Sequence, residues 1–101
     1  MTYELTVHTF RMGTEKEAAV KVLEEAAESF GSWQCLDDAL IPDEDGYEFP
    51  EEMIDGEREM VADELADVIQ AACNLAERYE IDLSAAMRRC EQRNRDRGRY
   101  E

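Results

Sequence analysis

Histidine and cysteine are both scarce in this chain. His8 is the only histidine among 101 residues, and no Glu-x-x-His motif is present, which argues against a ferritin-like di-iron centre. The cysteines Cys35, Cys73 and Cys90 are odd in number, widely spaced and form no Cys-x-x-Cys motif. This pattern argues against a disulfide framework or a zinc knuckle, so we expect reduced thiols in a cytoplasmic protein.

Long apolar runs and basic residues are also lacking. No run approaches the roughly 18 apolar residues that span a bilayer, and the first ten residues lack the layout of a secretory signal. Only 11 basic residues stand against 26 acidic ones, giving a net charge of −15. Nucleic acid and anionic membranes would repel such a chain, so neither is expected as a partner. The same composition suits a chain that holds divalent cations through oxygen ligands.

The charge is unevenly distributed along the sequence. Arginines are concentrated between positions 88 and 99, whereas Arg58 is the only basic residue in the acidic stretch 43–59. This asymmetry predicts that a cation site and a phosphate-binding segment lie in different parts of the chain.

The length corresponds to a single domain, residues 1–101, with a modest core that self-association would enlarge. We predict an all-α fold, a small bundle of three to four helices completed by oligomerisation. The loose alternation of Tyr3, Leu5 and Val7 predicts an extended N-terminal arm over residues 1–13.

Capping and helix-breaking signals set the expected boundaries. Thr14 followed by Glu17 matches a capping box, and Gly31 is a natural stop. The predicted elements are a helix over about 15–30, a short helical turn over 34–40, an acidic loop over 41–56 punctuated by Pro42, Gly46 and Pro50, a long helix following Gly56 to about Tyr79, and a last helix from the N-cap Asp82 to about Arg97.

Two acidic pairs have the spacing that puts side chains on one helix face: Glu25 with Glu28, and Glu64 with Asp67. Facing each other across a helix contact, they would hold a hard cation such as Mg²⁺ or Mn²⁺. In so acidic a chain the same spacing also arises by chance, as for Glu48 and Glu51. A solvated helix face is therefore the alternative.

The surroundings of Glu64 favour the cation site. On a helical wheel Glu64 falls inside the edge of an apolar arc centred on Leu65, and Asp67 lies about 60° further round. A carboxylate in an apolar arc is costly unless a charged partner satisfies it. A metal ion would do so, and a salt bridge to an arginine is the alternative.

In the first helix the acidic pair lies on the side opposite the apolar stripe. Its polar side carries Lys21, Glu24, Glu25 and Glu28, and its apolar stripe consists of Ala19, Leu23, Ala26, Ala27 and Phe30. The polar side would be solvated if the helix packed only through its stripe. A real site therefore requires that another helix, from this chain or from a partner subunit, covers Glu25 and Glu28.

Taken together, the motifs resemble a known family. Residues 24–28, Glu-Glu-Ala-Ala-Glu, match the E-E-x-x-E motif of the MazG-like all-α nucleotide pyrophosphohydrolases, and residues 64–67, Glu-Leu-Ala-Asp, match their E-x-x-D motif. Residues 64–87 look like the family's second and third helices, and the ending from Asn94 to Tyr100 is similar to that of phage-type members. The resemblance covers about residues 16–100, apart from the middle loop.

The resemblance implies a helical homodimer or homotetramer that hydrolyses nucleoside triphosphates to the monophosphate and pyrophosphate with Mg²⁺. The implied metal ligands are Glu25, Glu28, Glu64 and Asp67, with Glu24 or Glu25 as the base that takes a proton from the attacking water. Substrate contacts are implied for Lys21, Asn94 and Arg97.

The chain departs from the family pattern in three places. The gap between the acidic motifs is long, Cys90 replaces a frequent lysine, and the N-terminal arm has no counterpart in the minimal fold. Trp33 is a candidate for stacking on a base, with a core or subunit-interface tryptophan as the alternative. The competing functions are a phosphoribosyl-ATP pyrophosphohydrolase-like enzyme and an acidic helical binding module without catalysis.

Overall fold

The computed structural model describes residues 1–101, and the fold is all-helical as predicted. Helix α1 covers Glu15–Leu40, α2 covers Glu51–Arg78 and α3 covers Leu83–Asp96. The N-terminal arm, residues 1–13, contains no regular secondary structure. None of the three helices has both the length and the apolar character required to cross a membrane.

The predicted break at Gly31 is wrong. Helix α1 continues through Gly31 and includes the short helix that was expected over 34–40. A glycine inside a helix costs only about 1 kcal/mol relative to alanine, which the flanking helical residues offset. The helix ends at Leu40 because Pro42 disfavours the helical conformation at Ile41, which is extended.

The start of α2 also differs from the expectation. The helix begins at Glu51, ahead of Gly56, so the acidic loop covers residues 41–50 rather than 41–56. Pro50 occupies the N-cap position, and Glu51 and Glu52 in the first turn interact favourably with the positive end of the helix dipole. The predicted boundaries of α3 are confirmed, and Asp82 accepts a hydrogen bond from the Ala85 N–H at 2.9 Å.

Helices α1 and α2 pack antiparallel, and Arg78 at the end of α2 donates to the carbonyl of Gly13 just before α1. Their contact follows a seam with the alternating three- and four-residue spacing of a coiled coil. The seam residues, all buried or half-buried, are Ala18, Val22, Glu25, Ser29, Ser32, Leu36 and Ala39 on α1, and Ile54, Glu57, Val61, Glu64, Val68, Ala71, Leu75 and Arg78 on α2. Polar side chains thus occupy much of the seam.

The orientation of α2 differs from the wheel-based expectation. Leu65, the centre of the predicted apolar arc, is 51% exposed, whereas Glu64 faces α1. The apolar stripe of α1 is also outside, with Leu23 71% exposed. Both helices therefore keep an apolar face that the chain itself does not cover.

The chain is open for its size. Its solvent-accessible surface is 8252 Å², whereas about 5,800 Å² is typical of a monomer of this mass. Its radius of gyration is 17.3 Å, against about 13 Å for a closed domain of this length. Helix α3 packs closely on neither α1 nor α2. The chain alone forms a helix pair with an appended helix rather than a closed bundle.

The capping of α1 gives a test of the fold. The Thr14 hydroxyl oxygen accepts from the Glu17 N–H at 3.2 Å, so Thr14→Ala should lower the free energy of unfolding by about 1 kcal/mol. Urea denaturation measures the change, and Thr6→Ala, in the exposed arm, is the matched control. Equal effects of the two substitutions would contradict the capping role.

Candidate metal centre

Three of the four predicted metal ligands come together. Carboxylate oxygens of Glu25, Glu28 and Glu64 lie within 4.8 Å of one another, and we call this group the acidic cluster. Glu25 belongs to the α1 seam and is only 7% exposed, and Glu64 is a half-buried seam residue of α2. Glu28 lies one turn beyond Glu25 at the exposed rim. Of the two carboxylates expected to be covered by another helix, Glu25 is covered by α2 of the same chain, whereas Glu28 remains exposed.

The buried oxygens of the acidic cluster are not satisfied by protein donors. The Oε2 atoms of Glu25 and Glu64 are both buried and have no hydrogen-bond partner. The other oxygen of Glu25 pairs with the Lys21 ammonium at 3.0 Å. Glu64 forms no salt bridge, so the arginine partner considered as its alternative is absent. Unpartnered buried carboxylate oxygens are costly, and a hard divalent cation is the kind of ligand that would satisfy them.

The electrostatics of the acidic cluster agree with its geometry. The negative charge of Glu25 raises the pKa of Glu28, and hydrogen bonding to Glu25, partial desolvation and the charge of Glu64 add to the increase. The pKa of Lys21 is raised by its hydrogen bond to Glu25 and by the charge of that carboxylate. The like charges therefore repel one another in the absence of a cation.

The remaining acidic candidates lie at the edge of the acidic cluster. Asp67 is exposed and outside the group of three, but it lines the same cleft as Glu25. Glu24 is exposed and lies 3.8 Å from the Lys21 ammonium. Lys21, predicted to contact phosphates, lines the cleft beside Glu25.

Trp33 does not join this group. Its ring packs against Phe30 with a centroid separation of 5.4 Å, on the part of α1 beyond the acidic cluster. It remains 46% exposed and does not line the cleft. The alternative of an interface tryptophan therefore stays open.

Asn94 and Arg97 lie apart from the acidic cluster, because α3 does not pack on the helix pair. The Asn94 amide contacts the Cys90 sulfur at 3.8 Å and the Tyr100 hydroxyl at 3.4 Å. Arg97 is the C-cap of α3. Within one chain these two residues are not assembled with the carboxylates.

The N-terminal arm has a structural role that the sequence did not predict. The arm lies along α2 and, with α1 and α2, lines a cleft of about 370 Å³ that reaches Glu25 and Asp67. The Phe10 N–H donates to Asn74 Oδ1 at 3.1 Å, and Gln70 Nε2 donates to the His8 carbonyl at 3.0 Å. The only sequence signal is a polar stripe that starts at Asp67 of the E-x-x-D motif and continues through Gln70, Asn74 and Arg78.

Comparison with models of known protein families, with curated proteins and with solved structures gives no match.

The raised pKa of Glu28 predicts a pH-dependent effect on stability. The folded chain binds this proton more tightly than the unfolded chain, so the contribution of Glu28 to stability is complete below the ordinary pKa of 4.5 and is lost as pH rises through the folded-state value. In EDTA, Glu28→Gln should therefore gain stability relative to wild type as the pH is raised from about 4.5 to 7.

Denaturation midpoints across this pH range measure the effect, with Glu44→Gln in the exposed loop as the control. A stability difference between Glu28→Gln and wild type that does not change with pH would contradict the repulsion.

Proposed function

We propose that this chain is a Mg²⁺-dependent nucleoside triphosphate pyrophosphohydrolase of the MazG-like kind, producing a nucleoside monophosphate and pyrophosphate. The observation that carries the proposal is the pair of buried, unpartnered oxygens on Glu25 and Glu64, with the Glu28 carboxylate beside them. These carboxylates belong to the two motifs that resemble the family, one on each helix of the pair.

The cation ligands in this proposal are Glu25, Glu28 and Glu64, with Asp67 at the edge of the cleft as the fourth. Carboxylate oxygens suit Mg²⁺, and Mn²⁺ would fit the same donors. When bound, Mg²⁺ balances phosphate charge and makes a water molecule more acidic. This compensation is needed because a chain with a net charge of −15 otherwise repels a triphosphate.

Two carboxylates are candidates for the general base, Glu24 and Glu25. The Glu25 carboxylate belongs to the acidic cluster, whereas the Glu24 carboxylate is exposed and lies outside the acidic cluster. Glu24 is therefore the better proton acceptor for the water that attacks the α-phosphorus. Lys21, released from Glu25 when the carboxylate charge is compensated, would pair with a phosphate oxygen.

The active form in this proposal is a cytoplasmic homodimer or a homotetramer built from it. The surface excess over a closed monomer is about 2,400 Å² per chain, whereas a standard interface buries about 800 Å² per partner. The uncovered apolar faces of α1 and α2 supply a surface for a second copy. The substrate contacts that the resemblance implies for Asn94 and Arg97 require that such an assembly bring α3 to the acidic cluster of the other chain.

Assembly is tested by introducing a charge into the outer face of α1. Leu23→Asp should convert the wild-type oligomer to a monomer, because Leu23 is 71% exposed in the single chain and a buried unpaired charge is strongly disfavoured. Light scattering after size exclusion measures the mass. Leu5→Asp, at a position 62% exposed in the arm, is the control. A monomeric wild-type protein at micromolar concentration would contradict the assembly.

Metal dependence is tested by Glu64→Gln. In EDTA this variant should be more stable than wild type, because it removes a buried carboxylate charge without changing the shape of the side chain. Addition of Mg²⁺ should raise the melting temperature of wild type and of Glu44→Gln but not of Glu64→Gln. If Glu64→Gln were less stable than wild type in EDTA, this result would argue against a cation site.

Activity is tested by pyrophosphate release from canonical and modified nucleoside triphosphates. Hydrolysis should require Mg²⁺ and stop in excess EDTA. Glu24→Gln should lower kcat by about 100-fold or more while leaving Mg²⁺ binding intact, whereas Glu25→Gln should lose both. Isothermal titration with Mg²⁺ provides the second measurement.

The competing functions predict different results. Turnover confined to phosphoribosyl-ATP would identify the narrower enzyme. An acidic binding module predicts no Mg²⁺ effect and no turnover of any nucleoside triphosphate at micromolar enzyme, which would overturn the proposed function.

A further inference from the structure

The cleft under the N-terminal arm is continuous with the acidic cluster. Glu25 and Asp67 line its inner end, and the cleft extends to Glu17 on α1 and Arg78 on α2. Along α1 the levels of Glu25 and Glu17 are about 12 Å apart at 1.5 Å per residue. The volume of about 370 Å³ falls in the range of small-molecule sites, about 300–1,000 Å³.

Two side-chain amides on the α2 wall have a fixed orientation. Asn74 Oδ1 accepts from the Phe10 N–H at 3.1 Å, and Gln70 Nε2 donates to the His8 carbonyl at 3.0 Å. A backbone N–H can only donate and a backbone carbonyl can only accept, so these contacts determine which way each amide points. Gln70 Nε2 also donates to Asn74 Oδ1 at 2.9 Å. The Asn74 amino group and the Gln70 carbonyl therefore remain without a partner in the chain, one as a donor and the other as an acceptor.

Arg78 provides a positive charge at the far end of the cleft. Its side chain is only 8% exposed, and its Nε atom is buried without a hydrogen-bond partner. The terminal nitrogen of the guanidinium donates to the Gly13 carbonyl and lies 3.9 Å from Glu15. Because Nε is inaccessible, it is the positive charge of the guanidinium, which lines the cleft, that favours a ligand with acceptor atoms at the far end.

The arm contributes the apolar side of the cleft through Phe10 and Met12. Phe10 is 49% exposed, although its backbone N–H is held by Asn74. A planar ring beside unused amide groups matches the faces and edges of a heteroaromatic base, because the ring offers a stacking surface and the amides offer hydrogen bonds.

We propose that this cleft is the nucleobase subsite, with Phe10 as the stacking residue and Gln70 and Asn74 as the groups that contact the base edge. The positive charge of Arg78 lies at the end of the cleft where a carbonyl or ring nitrogen of the base would be favoured. This inference rests on the proposed function, because a base bound in the cleft would place the phosphates of the same nucleotide at the acidic cluster. It makes the arm a determinant of base preference.

The test combines base discrimination with ligand binding. Phe10→Ala removes the ring, and Asn74→Asp keeps the acceptor that holds the arm but replaces the amino group. Each variant should lower kcat/KM for the preferred nucleoside triphosphate about tenfold or more and reduce the discrimination among the four bases. Tyr3→Ala, an aromatic of the arm that does not line the cleft, is the control and should match wild type.

Binding is measured separately with the four uncharged nucleosides, which need neither metal nor turnover. NMR spectra should show shifts of the Gln70 and Asn74 side-chain amides with at least one nucleoside, and Phe10→Ala should abolish them. Shifts without any triphosphate hydrolysis would support the subsite and overturn the proposed enzymatic activity. Hydrolysis with unchanged base discrimination in both variants, or the absence of nucleoside-induced shifts, would overturn the subsite.

Discussion

The packing of α1 on α2 puts carboxylates where a helix pair ordinarily has apolar side chains. Glu25 and Glu64 occupy seam positions, and each has one buried oxygen without a protein donor. Apolar residues at these positions would bury more hydrocarbon and avoid the cost of desolvating charge. The seam is therefore poorly explained by stability alone, which is why the proposed function assigns a cation to its carboxylates.

The same packing explains why the chain remains open. Turning the polar side of α1 toward α2 leaves Leu23 and its neighbours on the outside, and turning Glu64 inward leaves Leu65 half-exposed. An apolar face against α2 would have buried more surface but would have separated the carboxylates. The grouping of the carboxylates and the exposure of the apolar faces therefore have the same cause, which is that α1 and α2 pack through their polar sides.

Local signals predicted the fold better than they predicted the site. Thr14 and Asp82 were identified because an N-cap is a contact within one turn. Gly31 and Gly56 were misjudged as helix boundaries because a glycine penalty of about 1 kcal/mol is smaller than the stability of a long helix around it. The wheel of α2 could not determine which edge of its broad apolar arc meets α1. The cleft could not be foreseen at all, since it depends on pairings such as Phe10 with Asn74 that are distant in sequence.

The walls of the cleft come from parts of the chain that are held in place to different degrees. Helices α1 and α2 are constrained by their mutual seam, so a change there alters the acidic cluster as well. The arm is attached mainly by a few hydrogen bonds between its backbone and side chains of α2, and it belongs to no helix. Gly13 is constrained by its positive φ and by its contact with Arg78, but residues 1–12 can change in evolution without disturbing the helix pair, so exchange of this segment alone would reshape one wall of the cleft.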